Sequence, residues 1–244
     1  MRERFTGATV GLWLCLLLGT PVGAASTVTV GGATINVVPP VGCVRVDGLD
    51  PGYEALTAKL LPSIVLRLAE FWKTADARDL LQSGVWYQKT VFYLMSITKD
   101  ITGVTIRSAD MPAVLSAAKA GLPAAKTISA KRLDDIEKQI DAAIAQQKGT
   151  RVQTEFTDFR YLGLLEETKS SFTYAHFVTT RASRTDEDIE ITMSSICVSL
   201  IGRVGPRMIL LQGYSYNTSA PELIALKGVL RGWHSELMRR NPGE

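Results

Sequence analysis

The stretch that most constrains the fold of this chain is its last third, where four strand-like runs follow one another and a single capped helix closes the sequence. The runs are Tyr161 to Glu167, Phe172 to Ala182, Ile189 to Gly202 and Arg207 to Asn217. The breaks between them are polar or carry Gly205-Pro206, which fits an antiparallel meander joined by turns. Ser219-Ala220-Pro221-Glu222 then reads as a capping box, with the serine hydroxyl accepting from the N3 amide and proline tolerated in the first turn. Beyond it Leu223, Leu226, Leu230, Trp233 and Leu237 share one helical face, and that stripe is expected to pack across the meander. Strands covered by a helix predict an α+β domain, an antiparallel sheet with helices packed on it, open to completion as a three-layer sandwich.

The earlier part supplies further elements. Thr27 to Val30 and Ala33 to Val38 flank Gly31-Gly32 and predict a tight hairpin, because glycine reaches the positive φ angles of such turns. Pro39-Pro40 stops pairing, and Asp50-Pro51 starts a short helix that runs to about Leu61. Ile64 to Trp72 fits strand or helix by periodicity alone, and is read as a strand. A turn or two of helix over Asp76 to Gln82 precedes a β-branched and aromatic strand from Val85 to Ser96. Asp110-Met111-Pro112 opens a helix that Gly121 is expected to close. A second, from Ser129 to Lys148, carries the narrow stripe Leu133, Ile136, Ile140 and Ile144 of a surface helix.

The first 24 residues predict export. Arg2 and Arg4 form a basic head, Val10 to Gly19 an apolar middle, and Pro21-Val22-Gly23-Ala24 a small-residue end, so a signal peptide is expected to be cut after Ala24. About ten apolar residues fall short of the roughly 20 that span a bilayer, so no stable membrane anchor is expected. Trp13-Leu14 before Cys15 does not fit a lipidation site, and Glu3 separates the two arginines that a twin-arginine signal would need adjacent. The remainder, 25–244, reads as one domain with no repeat, long linker or low-complexity tract. A net charge of +3 over 244 residues, with both signs interspersed, argues against a dedicated nucleic-acid binder.

Export leaves Cys43 and Cys197, which in an oxidising compartment are expected to form one disulfide, the alternative being two buried thiols. Closing so long a loop would stabilise the fold by roughly 4–5 kcal/mol in the chain-entropy model. Candidate chemistry is sparse. His176 lies on a strand, on the side of Phe172, Tyr174 and Val178, and reads as a packing residue before a general base. His234 is expected at the edge of the helical stripe. Gly213-Tyr214-Ser215 lacks the second glycine of a nucleophile elbow, and Glu166-Glu167 point to opposite faces of a strand. Asp186-Glu187-Asp188 with Glu190 reads as a solvated turn before a calcium site. Asn217-Thr218-Ser219 matches a glycosylation sequon that coincides with the helix cap. No catalytic, metal or cofactor residues are assigned. Trp86, Tyr87, Phe92 and Tyr93 crowd one strand and form a candidate ligand groove, against the alternative that helices cover both faces.

The hairpin, the turn Pro39-Pro40-Val41-Gly42-Cys43, the closing meander with Ile209 to Tyr216, the capped helix with Trp233 and the terminal Arg240-Asn241-Pro242 together resemble a group of uncharacterised secreted proteins of proteobacteria. In outline the order of elements is also similar to the PsbP and DcrB type of α/β/α sandwich. The resemblance implies a non-enzymatic envelope protein; the export signal, the compact domain expected to be cross-linked and the missing catalytic constellations lead to the expectation of a periplasmic or secreted protein that binds a partner protein or small ligand. The other expectations are a secreted hydrolase with a site assembled from distant residues, and an extracellular host-directed factor.

Overall fold

A computed structural model describes residues 26–49, 51–61, 64–83, 90–125, 130–148, 152–184 and 189–243. Two short strands, β1 (Ser26–Val30) and β2 (Ala33–Val37), pair as a hairpin of their own. Next come β3 (Cys43–Arg45), α1 (Pro51–Leu60), β4 (Val65–Lys73), α2 (Thr74–Ser83) and β5 (Val91–Thr98). After them follow α3 (Met111–Ala125), α4 (Ala130–Lys148), β6 (Val152–Glu167), β7 (Ser171–Arg184), β8 (Ile189–Val204), β9 (Arg207–Ser215) and α5 (Ala220–Arg240). The fold is α+β: one seven-stranded sheet in the order β3-β4-β5-β9-β8-β7-β6, antiparallel throughout. The meander β6 to β9 is present, and β5 joins it at β9, which brings both halves of the chain into one sheet.

Helices cover both faces. The Leu226, Leu230, Trp233 and Leu237 side of α5 packs on Phe71, Tyr93, Met95, Val198, Leu200 and Leu211, forming the main core. On the other face Met111 and Leu115 of α3 meet Phe172 and Met208, while Tyr53 of α1 and Ala77 of α2 meet Trp72. Burial on two sides explains why Val65–Lys73 has no clean alternation: a strand with helices above and below is apolar on both edges of its pleat.

Several elements differ from the expectation. β6 begins at Val152 rather than Tyr161, because its polar first half is held by β7 and by α4 instead of by an apolar face. Asp141 Oδ1 accepts from the Thr154 amide at 2.9 Å and Glu137 Oε1 from the Phe156 amide at 2.6 Å. These carboxylates, one turn apart on α4, satisfy two amides of an edge strand that would otherwise be open to pairing. Helix α3 runs through Gly121 to Ala125, since an exposed glycine weakens a helix without ending it. Of the strand expected over Val85 to Ser96, the part up to Lys89 lies outside the described residues, and the described strand starts at Val91. His234 is buried within the α5 stripe rather than at its edge, with Nε2 3.1 Å from the Arg203 carbonyl. It fits there because Gly202 stands below it: a Cβ at that position would lie 2.5 Å from the imidazole Nε2.

The expected bond between Cys43 and Cys197 is absent, and both are buried free thiols. Register gives the reason. Cys197 lies in a row that runs through Tyr214, Phe92 and Trp72 to Val44, so Cys43, one residue before Val44, points to the opposite face of the sheet. Four strand steps also separate β3 from β8, about 19 Å at the usual strand spacing. A disulfide tolerates a Cα separation of no more than about 7 Å.

The β1–β2 hairpin turns on Gly31 (φ 52°) and Gly32 (φ 81°), as expected, and is fastened to the sheet by side chains distant in sequence. Arg207, 4% exposed, donates from Nε to the Val30 carbonyl at 3.1 Å and from its guanidinium to Gly31 O at 2.6 Å and Val104 O at 3.0 Å. Asn241 imitates a neighbouring strand: its Oδ1 accepts from the Asn36 amide at 2.7 Å while its Nδ2 donates to the Asn36 carbonyl at 2.8 Å. Trp233 Nε1 donates to Val38 O at 2.7 Å.

Candidate functional site

The sheet face opposite α5 carries the polar and aromatic groups that could do chemistry. Opposed positions in antiparallel strands share a face, so register places His176, Cys197, Tyr214 and Phe92 side by side across β7, β8, β9 and β5. The adjoining row on this face sets Tyr174, Ser199, Gln212 and Leu94 beside one another. Gln212 Nε2 donates to Ser199 Oγ at 3.4 Å and approaches Cys197 Sγ at 3.7 Å, which itself lies 3.6 Å from Ser199 Oγ. His176 stacks on Phe159 with centroids 5.3 Å apart, and Phe92 stacks on Tyr214 at 4.6 Å with planes 3° apart.

A cysteine and a histidine that are direct cross-strand neighbours invite a nucleophile–base reading. Their protonation states oppose it. A reactive thiol needs its pKa lowered by a cation or a base, and a base needs its own near the working pH. Burial instead pushes the Cys197 thiol up to about 11 despite hydrogen bonds from Ser199, Tyr214 and Gln212, and pushes the His176 imidazole down to about 4. Burial likewise raises the Tyr174 phenol to about 12 and the Cys43 thiol on the opposite face to about 11. Near neutral pH each of these groups is held in its uncharged form.

The histidines give a pH signature. An unfolded chain binds protons at its histidines near pH 6.5, whereas folded His176 resists until about pH 4, and burial shifts His234 in the same direction. The stabilisation is therefore complete above pH 6.5 and is lost as the pH falls from there toward 4. His176 alone is expected to remove on the order of 2–3 kcal/mol over that window. Urea midpoints measured between pH 7 and 4 should fall less steeply for His176→Gln, and an unchanged slope would contradict the assignment.

A second polar cluster borders this strip. Glu70, 2% exposed, accepts from Trp72 Nε1 at 2.7 Å, from Arg67 at 2.9 Å and from the Tyr53 hydroxyl, while Arg67 also pairs with Glu54 of α1. Burial together with the Glu70 carboxylate holds the Tyr53 phenol far above its ordinary pKa, so it stays a donor. Residues three apart on a regular strand face opposite ways, which hides this cluster from the sequence. A bulge brings Arg67 and Glu70 together: Arg67 stands opposite Ser96 and Glu70 opposite Leu94, both on this face, with Leu68 as the extra residue.

The remaining candidates are dispersed. Trp86 and Tyr87 lie outside the described residues. Phe92 and Tyr93 do not line one groove: Phe92 belongs to this face, while Tyr93 is 4% exposed beneath α5, its ring 6.3 Å from that of Trp233. Glu166 and Glu167 do face opposite ways, toward Lys227 and Arg231 of α5 and toward Lys119 of α3. Ser215 is buried and accepts from the Asn217 amide at 3.1 Å. Asp186, Glu187 and Asp188 lie outside the described residues, and Glu190 pairs with Arg181 at 3.6 Å. Among the described residues no group of three or more histidines, cysteines or carboxylates stands together as a metal site. No described helix is long and apolar enough to cross a membrane.

No family model and no curated protein matches the chain. Among solved structures it is similar to the Ran-binding protein Mog1p of Saccharomyces cerevisiae, at 9% identity and a TM-score of 0.27, over 90% of this chain and 93% of that one. A point mutant of Mog1 matches at 10% identity and a TM-score of 0.28, over 89% and 92%. Scores this low carry no inference about partner or activity.

Proposed function

We propose that this chain is an exported protein of the bacterial envelope, periplasmic or secreted, that acts by binding a partner protein or small ligand rather than by catalysis. The leader pattern of residues 1–24 supports export, and the resemblance to secreted proteins of proteobacteria agrees with it. What carries the non-catalytic reading is the state of the His176 and Cys197 pair: neighbours across two strands, yet shifted away from imidazolium and thiolate by burial. A thiol-dependent hydrolase would need the opposite shifts.

Expression with the leader intact, followed by fractionation and intact-mass measurement, tests the compartment. The expected species has lost Met1 to Ala24 and is found in periplasmic fluid or medium; a full-length cytosolic protein overturns the proposal. Purified protein offered ester, peptide and glycan substrates is expected to turn none over. Turnover abolished by His176→Ala would favour the secreted hydrolase.

A further inference from the structure

We propose that the free edge of β8 pairs with the same segment of a second copy of this chain, making a symmetric dimer through one continuous antiparallel sheet. The pairing of β8 with β9 begins only at Ile196, opposite Ser215. The seven residues before it, Ile189 to Ser195, are held by β7 on one side, where Ile189 stands opposite Arg184 and Ser195 opposite Val178. On the other side no strand lies against them among the described residues. Amides and carbonyls at alternate positions along this edge therefore face no strand among the described residues, and a stretch of that length exceeds the typical strand of about 5–6 residues.

Edges normally discourage pairing with lysine, proline or a bulge. This one carries none of them. The ladder between β7 and β8 is regular from Ile189 through Gly202, and the edge presents Ile191 at 52% and Met193 at 44% exposure. Its one charged residue, Glu190, lies 3.6 Å from Arg181 of its own protomer, which also meets Glu155 at 3.7 Å. By contrast β6, at one margin of the sheet, has its Thr154 and Phe156 amides capped by the Asp141 and Glu137 carboxylates of α4.

Self-pairing has one register that uses the whole free segment, with the two-fold axis at Thr192. Ile191 of each copy then opposes Met193 of the other, Glu190 opposes Ser194, and Ile189 opposes Ser195. Ile191 and Met193 meet across the axis on one face, and no like charges of this segment meet on the other. Such a contact is isologous and closed, so it ends at a dimer instead of growing into a fibre.

Sedimentation velocity on the purified protein over a dilution series is expected to show a monomer–dimer equilibrium. The double variant Ile191→Lys with Met193→Lys sets lysines against lysines across the axis and should weaken dimerisation by at least about tenfold. Ile191→Lys with Met193→Glu places each introduced lysine against an introduced glutamate of the other copy and should restore it. Both positions are exposed in the protomer, so the thermal transition followed by circular dichroism at low concentration should barely move. A wild-type protein that stays monomeric throughout overturns the proposal. So does a dimer indifferent to the lysine pair, or one that the lysine–glutamate variant fails to recover.

Discussion

Replacing Arg207 by methionine is expected to lower the unfolding free energy by about 2–3 kcal/mol, although no carboxylate among the described residues pairs with it. The guanidinium is buried and its hydrogen bonds go to main-chain carbonyls of Val30, Gly31 and Val104 and to the Thr105 hydroxyl. Methionine fills much of the same volume but donates nothing, so carbonyls from the hairpin and from the loop after β5 lose their donor together. Left unsatisfied, the carbonyl of buried Val30 costs about 1–3 kcal/mol, while those of the exposed Gly31 and Val104 turn to water at smaller cost. Urea unfolding should show a lower midpoint, and limited proteolysis should cut first within 26–37 if the hairpin detaches before the sheet. A loss under about 1 kcal/mol would mean that water replaces the guanidinium freely.

The second large effect is expected at Glu70. Glu70→Leu removes the acceptor shared by Tyr53, Trp72 and Arg67 and leaves the Arg67 charge, only 11% exposed, with Glu54 as its carboxylate partner. Removing one member of a buried ion pair costs about 3–5 kcal/mol, because the desolvated partner remains. Glu70→Gln keeps an oxygen that can still accept from the indole and the phenol, so its loss should be clearly smaller. Equal losses for the two variants, within about 0.5 kcal/mol in urea titrations, would show that the cluster acts by packing and not by hydrogen bonding.

These two residues show where reading the sequence stops. The hairpin at Gly31-Gly32, the capped start of α5 at Ser219 and the apolar stripe Leu226, Leu230, Trp233 and Leu237 were legible, because each depends on residues within about two turns or one hairpin of one another. The first half of β6 was not legible, since its polar residues are held by the Glu137 and Asp141 carboxylates and by β7. Arg207 enters the sequence only as the first residue of a strand run after Gly205-Pro206, and its role comes from the hairpin laid over it. Compartment alone pairs Cys43 with Cys197, whereas the strand register sets them on opposite faces of the sheet. Of the groove assigned to Trp86, Tyr87, Phe92 and Tyr93, strand alternation alone separates the last two.

What the sequence determined by itself was the succession of elements and the α+β class: periodicity, caps and positive-φ glycines act over a few residues and need no distant partner. The tertiary structure decided which strands became neighbours. It put β5 beside β9, slipped one residue at Leu68 so that Arg67 could reach Glu70, and ended β9 short so that no described strand lies on the β9 side of Ile189 to Ser195. Those choices rest on long-range register, where a shift of one residue turns every side chain to the other face, and no local pattern carries that information.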